Sequence, residues 1–170
     1  MSDAEKFLTT LAPDATSFFF QALHDKDKAA TPYDFTGTFA EHDSALRALN
    51  DKGYGIFVQI NQNDSNGTGN DSITLFRALF TDLDGGLPPG GFALEPSMLV
   101  QSSPGKYQAY WTLKEPVTVT AESRKLYRAL LKGIITVTGG DPKCADERRI
   151  LRLPGFSHHK REPFTTKLVA

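Results

Sequence analysis

Cysteine is nearly absent: Cys144 is the only one in 170 residues. The chain can form no internal disulfide and no thiolate metal cage, and it fits a reducing, cytoplasmic compartment. Long apolar runs are missing too. None approaches the ~20 residues a membrane span requires, and the first residues lack the basic-then-apolar layout of a signal peptide. No G-x-x-x-x-G-K-[ST] loop is present, which leaves no P-loop motor. There is no internal repeat, and no linker is long enough to separate a pair of domains. With 39% hydrophobic and 23% charged residues, disorder, collagen and coiled coil are excluded. What remains is one unit able to build its own core.

The net charge of −1 conceals an asymmetry. Residues 1–100 carry 6 Lys+Arg against 14 Asp+Glu, whereas residues 101–170 carry 13 against 6. An acidic region facing a basic one suits a site that holds both metal ions and a polyphosphate. Chance scatter of charge accounts for the same numbers equally well.

Apolar spacing predicts a short helix over Ala4–Leu11, ended by Pro13, and a buried strand at Phe18–Phe20. A polar stretch from His24 to Thr31 leads into a loop around Pro32. A second helix is expected over Ala40–Asn50, then a strand over Tyr54–Ile60 with Ile56, Val58 and Ile60 on one face. Asn61–Asn70 reads as a loop, since Asn, Gly, Asp and Ser favour turns. A central strand in the second half of Ile73–Leu83 runs into Thr81-Asp82-Leu83-Asp84-Gly85-Gly86. Met98–Ser102 and Tyr107–Leu113 form a hairpin turned at Ser103-Pro104-Gly105-Lys106. The longest helix is Thr120–Ile135, with Leu126, Leu130 and Ile134 spaced by four and Gly139-Gly140 ending it. The expected fold is α+β, a single compact domain with a mixed or antiparallel sheet.

Chemistry concentrates at three places. Asp82-x-Asp84 sits at a strand end, where residues i and i+2 share a face and two carboxylates converge. Their repulsion is relieved by a hard divalent cation such as Mg²⁺ or Mn²⁺; a solvated strand end before a glycine turn is the plainer reading. In Lys106–Trp111, alternation sets Lys106, Gln108 and Tyr110 against Tyr107, Ala109 and Trp111. The first face offers polar groups to a phosphate or a base, and Trp111 is read as core. Finally, Asp141–Lys160 gathers Arg148, Arg149, Arg152, His158, His159 and Lys160 around apolar Ile150, Leu151 and Leu153. Such a segment is pinned to a core with its cations projecting in a fixed direction, able to grip a triphosphate beside its metal.

The order FTDLDG, SSPGKYQAYW and GGDPKCADERRILRLPGFSHHK resembles the archaeo-eukaryotic primase superfamily, and within it the RepB-like primase and primase–polymerase domains of plasmids, phages and prophages. The similarity runs from about Tyr54 to Lys160. It implies a catalytic core like an RNA-recognition-motif fold, with an N-terminal α/β element, and residues 1–170 as one catalytic domain or the N-terminal part of a longer protein. It implies DNA primase/polymerase activity, a nucleotidyl transfer from NTP or dNTP on a single-stranded DNA template. Asp82, Asp84 and Asp141 would be catalytic and bind two Mg²⁺ or Mn²⁺ ions, with Asp146 a rival for the third position. Lys106, Gln108, Arg149, Arg152, His158 and Lys160 would contact the nucleotide. Tyr107, Tyr110 and Arg148 would contact nucleic acid. A helicase partner would come from another protein or from a further C-terminal region, and no membrane is involved.

There is one departure: the family's second motif carries Ser-x-His, and Lys106-Tyr107-Gln108 stands there instead. A glutamine amide donates to phosphate but brings no charge. A non-catalytic nucleotide- or nucleic-acid-binding relative is therefore the alternative. A rolling-circle initiator nuclease is a more distant one, because His158 and His159, adjacent on a strand, point to opposite faces.

Overall fold

The structure is a computed structural model that describes residues 1–170. Three helices begin with side-chain caps. In α1 (Asp3–Leu11), Ser2 and Glu5 form a reciprocal capping box, as do Thr38 and Glu41 in α2 (Phe39–Asp51). Thr120 and Ser123 do the same for α3 (Ala121–Thr138), which closes on left-handed Gly139 at φ 71°.

The strands are β1 (Phe18–His24), β2 (Tyr33–Gly37), β3 (Tyr54–Gln59), β4 (Gln62–Asn63), β5 (Ile73–Leu83), β6 (Met98–Ser103), β7 (Lys106–Thr118), β8 (Ile150–Arg152), β9 (Ser157–His158), β10 (Phe164–Thr165) and β11 (Lys167–Leu168). They build one sheet of order β2-β1-β3-β8, another of order β11-β6-β7-β5-β4, and a ribbon of β9 and β10. Every pairing is antiparallel. One core joins both large sheets to α1 and α3: Phe7, Phe20, Ile56, Val58, Phe76, Phe80, Tyr110 and Leu131 all belong to it. The α+β expectation holds, with sheets that are antiparallel throughout. No helix is long and apolar enough to cross a membrane.

Several elements depart from expectation. Tyr33–Gly37, which carries no strand signal in the sequence, pairs with β1; its residues are largely exposed, as befits an edge strand with no apolar alternation to betray it. β7 continues past Leu113 to Thr118, and its register against β5 shifts between Phe76 and Ala78. The buried face of α3 is Tyr127, Leu131 and Ile135, not the expected stripe, whose Leu126 and Leu130 are 61% and 50% exposed. Two apolar stripes lie one residue apart on this helix, and Tyr127 decides between them. Its ring stacks on Phe76 at 3.9 Å between centroids. Its hydroxyl donates to the Ala78 carbonyl and accepts from Asn61 Nδ2, each at 2.8 Å.

Candidate active site

Alternation along β5 sends Ala78 and Phe80 into the core, so Asp82 on the same face stands where the core ends. Across the ladder Asp82 faces Gln108 of β7, which in turn faces Val100 of β6. Burial, followed by the negative charges of Asp84 and Asp141, pushes the Asp82 carboxyl up to about 6, against the opposing pull of Lys106 and Arg149. Its nearest side-chain donor is a weak one, Cys144 Sγ at 3.9 Å from Oδ2. Burial pushes the Cys144 thiol up to about 12, with Asp82, Asp141 and Asp146 adding to the rise and Arg149 partly offsetting it, so it stays protonated.

Asp84 lies just beyond the strand, exposed, and accepts a 2.7 Å hydrogen bond from Lys106 Nζ. Asp141 arrives from the far end of α3. Its backbone N–H donates to the Asp82 carbonyl at 2.9 Å, and its Oδ1 caps the turn Pro142–Cys144 through Lys143 N. Gly140 makes this approach feasible, for a Cβ there would collide with Thr81 Oγ1. Asp82, Asp84 and Asp141 thus form one interacting acidic group, while Asp146 turns to Arg149 at 2.5 Å. No group of three His, Cys, Asp or Glu side chains closes into a ready metal cage, since Asp84 is drawn to Lys106 and Asp141 to its own turn.

The cations divide into two sets. Arg149 acts on Asp82 and Cys144, is bound through Nη2 to Asp146 and the Lys143 carbonyl, and leaves Nε buried without a partner. His158 Nδ1 meets the Ser102 carbonyl at 3.1 Å and its Nε2 is likewise buried and unpaired. Burial and the charge of Arg152 hold its pKa below the ordinary value of 6.5. Lys160 and Arg148 are exposed.

Arg152 differs from its expected role. Its guanidinium grips buried Asp25 at 2.6 and 3.3 Å and lies over the Phe57 ring at 4.8 Å, so it faces protein. Asp25 also accepts from the backbone of His159 at 2.8 Å, tethering the segment that carries His158.

Gln108 is 4% exposed, and its Oε1 accepts from the Tyr110 hydroxyl at 3.2 Å. Tyr110 itself is fully buried with its ring edge-on to Phe7, which leaves no face on which a base can stack. Tyr107 is half-buried beside Leu83, Ala109 and Trp111. His158 and His159 reach different partners, the Ser102 carbonyl and Asn50 Nδ2. Sequence reasoning missed Asp25 and Cys144. Nothing local marks Asp25, whose partner lies 127 residues away, and a lone Cys144 gives no sign that it borders an acidic cluster.

Comparison with known proteins follows the same lines. Residues 87–167 match the family model described as RepB DNA-primase N-terminal domain. That span holds Lys106, Gln108, Asp141 and the Arg/His segment, and it begins just after Asp82 and Asp84. No curated protein sequence matches the chain. Among solved structures, the AEP domain of the Cyanophage S-2L primase-polymerase superposes with a TM-score of 0.78 at 18% identity, covering 99% of this chain and 88% of that one. Primase RepB′ superposes at 0.71 with 17% identity over 99% of this chain and 55% of its own. The RepB′ catalytic domain in complex with initiator DNA gives 0.70 at 17% identity, over 99% and 82%. Residues 87–167 are therefore similar to the RepB DNA-primase N-terminal domain, and the chain shares its fold with the AEP domain of that primase-polymerase and with primase RepB′.

Proposed function

We propose that the chain is a DNA primase/polymerase domain of a mobile element or phage, joining NTP or dNTP units on a single-stranded DNA template. One observation carries the reading: Asp82, Asp84 and Asp141 interact at a site edged by Lys106 and Arg149.

The donor set suits divalent cations. It consists of hard carboxylate oxygens, and Asp82 lacks a strong protein donor. The Lys106 ammonium already stands beside Asp84 as a cation. Asp82, Asp84 and Asp141 would hold Mg²⁺ or Mn²⁺, which supply charge neutralisation and activation of the attacking hydroxyl in nucleotidyl transfer. Asp146 is the weaker candidate, because Arg149 occupies it. Arg149 and Lys106 would neutralise triphosphate charge, and His158 would add a further polar contact. Lys160 is free to join them from the surface. Arg152 serves by holding its segment through Asp25 rather than by touching phosphate. Arg148 and Tyr107 remain available to nucleic acid. The partners would be single-stranded DNA, NTP or dNTP, and a helicase supplied elsewhere; the RepB′ structure with initiator DNA supports the first.

Asp82→Ala and Asp84→Ala should each abolish Mn²⁺- or Mg²⁺-dependent nucleotide incorporation in a folded domain. Incorporation retained by either variant removes that residue from the mechanism. Gln108 favours a second reading, a binding relative without catalysis, since its uncharged amide is partly engaged by Tyr110. A large gain of incorporation in Gln108→His would support it, and no change in an already active enzyme would dismiss it.

A further inference from the structure

Arg77 has no role in the site above, and its surroundings are unusual. The other arginines that fold against the protein meet carboxylates: Arg152 with Asp25, Arg124 and Arg128 with Glu147, Arg149 with Asp146. Arg77 is 3% exposed and has none. It sits where the β5 register shifts. Its Nη2 donates to Gln62 Oε1 at 3.0 Å and weakly to the Ser17 carbonyl at 3.4 Å, and the guanidinium lies 5.0 Å from the Phe18 ring centroid. Nε and Nη1 make no hydrogen bond to protein. A buried cation without a counter-charge is costly, and burial alone pushes Arg77 down to about 10.

The guanidinium lines a cavity of about 350 Å³ together with Ser17, Thr36, Asn63 and Ser65. The acids at its rim, Asp14 and Asp64, are exposed and form no ion pair with Arg77. Asp64 is occupied by its own loop, accepting from Asn66 N at 2.8 Å. Phe19 lines this cavity and also the neighbouring one, where Gln21, Gln59, Arg148 and Arg149 lie.

We propose that the Arg77 cavity binds one phosphodiester of single-stranded DNA, the strand then passing over Phe19 towards Arg148 and Arg149. This rests on the DNA-binding aspect of the proposed function and adds a location to it. A phosphodiester brings the one negative charge that Arg77 lacks, and Ser17, Thr36 and Asn63 add neutral donors. A free triphosphate brings several charges against this single guanidinium, more than it can balance. The Phe19 ring, between the two cavities, offers a base a sequence-tolerant platform.

The test is fluorescence anisotropy of a labelled mixed-sequence oligonucleotide at several salt concentrations. Arg77→Gln should weaken binding by about tenfold and lower the salt slope by about 0.7, the value for one phosphate on a single strand. Because Arg77 is buried, a second variant guards against misfolding. Thr36→Glu, exposed on β2 opposite Phe19, sets a carboxylate at the cavity mouth and should reproduce the loss in a folded domain. Inorganic phosphate and dNTP are titrated alongside. DNA binding unchanged in folded Thr36→Glu overturns the proposal, as does a wild-type domain that binds no DNA. Phosphate or dNTP binding that needs Arg77, with DNA binding untouched, also overturns it. Failure of catalysis is a separate outcome: a domain that binds DNA through Arg77 and incorporates no nucleotide removes the polymerase reading and leaves this one standing.

Discussion

Replacing Asp82 by Asn should stabilise the protein at alkaline pH. In the fold this carboxyl is held at about 6, against its ordinary 3.8, by burial and by the charges of Asp84 and Asp141. With each pKa unit equivalent to about 1.4 kcal/mol, the ionised form costs the native state about 3 kcal/mol at pH 8. The sign follows from the raised native value. The contribution of Asp82 to stability is complete below 3.8, declines as the pH rises through about 6, and is lost above it. Asn does not ionise and escapes that loss. Urea unfolding of both proteins without divalent metal, at pH 8 and again near pH 4, isolates the difference. The variant should gain about 3 kcal/mol at pH 8, roughly 6–12 °C in melting temperature for a chain of this length, and almost nothing near pH 4. Mn²⁺ at pH 8 should stabilise the wild type and not the variant, closing the gap. An Asn variant equal to or less stable than wild type at pH 8, or a difference that ignores pH, would refute the account of Asp82 as an uncompensated carboxylate.

Asp25→Ala strands the Arg152 guanidinium in the interior and should cost about 3–5 kcal/mol in urea unfolding. Replacing both partners, as Asp25→Leu with Arg152→Met, should recover much of that, and a single-variant loss under about 1 kcal/mol would show the pair to be incidental. On α3, Leu131→Ala should cost about 2–5 kcal/mol and Leu126→Lys less than about 0.5 kcal/mol; equal losses would contradict the assignment of the buried face.

Much of the architecture is legible in the residues because its signals are local. Asp82-x-Asp84 closing an apolar run and the turn between Met98 and Tyr107 each announce themselves within a few positions, whereas Asn61–Asn70, expected as loop throughout, contributes the short strand β4 at Gln62–Asn63 to the β5 edge. What escapes depends on distant partners. Arg152 reads as a phosphate-gripping cation until Asp25, far off in the chain, neutralises it. Tyr110 and Tyr107 look alike in sequence, yet the register that sets Tyr110 opposite Phe80 sends it into the core. The charge asymmetry acquires a concrete meaning in the fold. The pairs Asp25–Arg152, Asp71–Arg124 and Asp84–Lys106 each join an acid of the first hundred residues to a cation of the remainder. Part of the imbalance is therefore neutralised within the molecule, while Asp82 and Asp141 form no ion pair.

The backbone hydrogen bond from Asp141 to Asp82 has a wider consequence. It ties the segment leaving α3 to the last residues of β5, so the third carboxylate is only as steady as the end of that helix. Fraying of its final turn would scatter the acidic cluster long before the sheets came apart. Under the proposed function, nucleotide incorporation would then be lost while the domain still looked folded to any probe of bulk secondary structure.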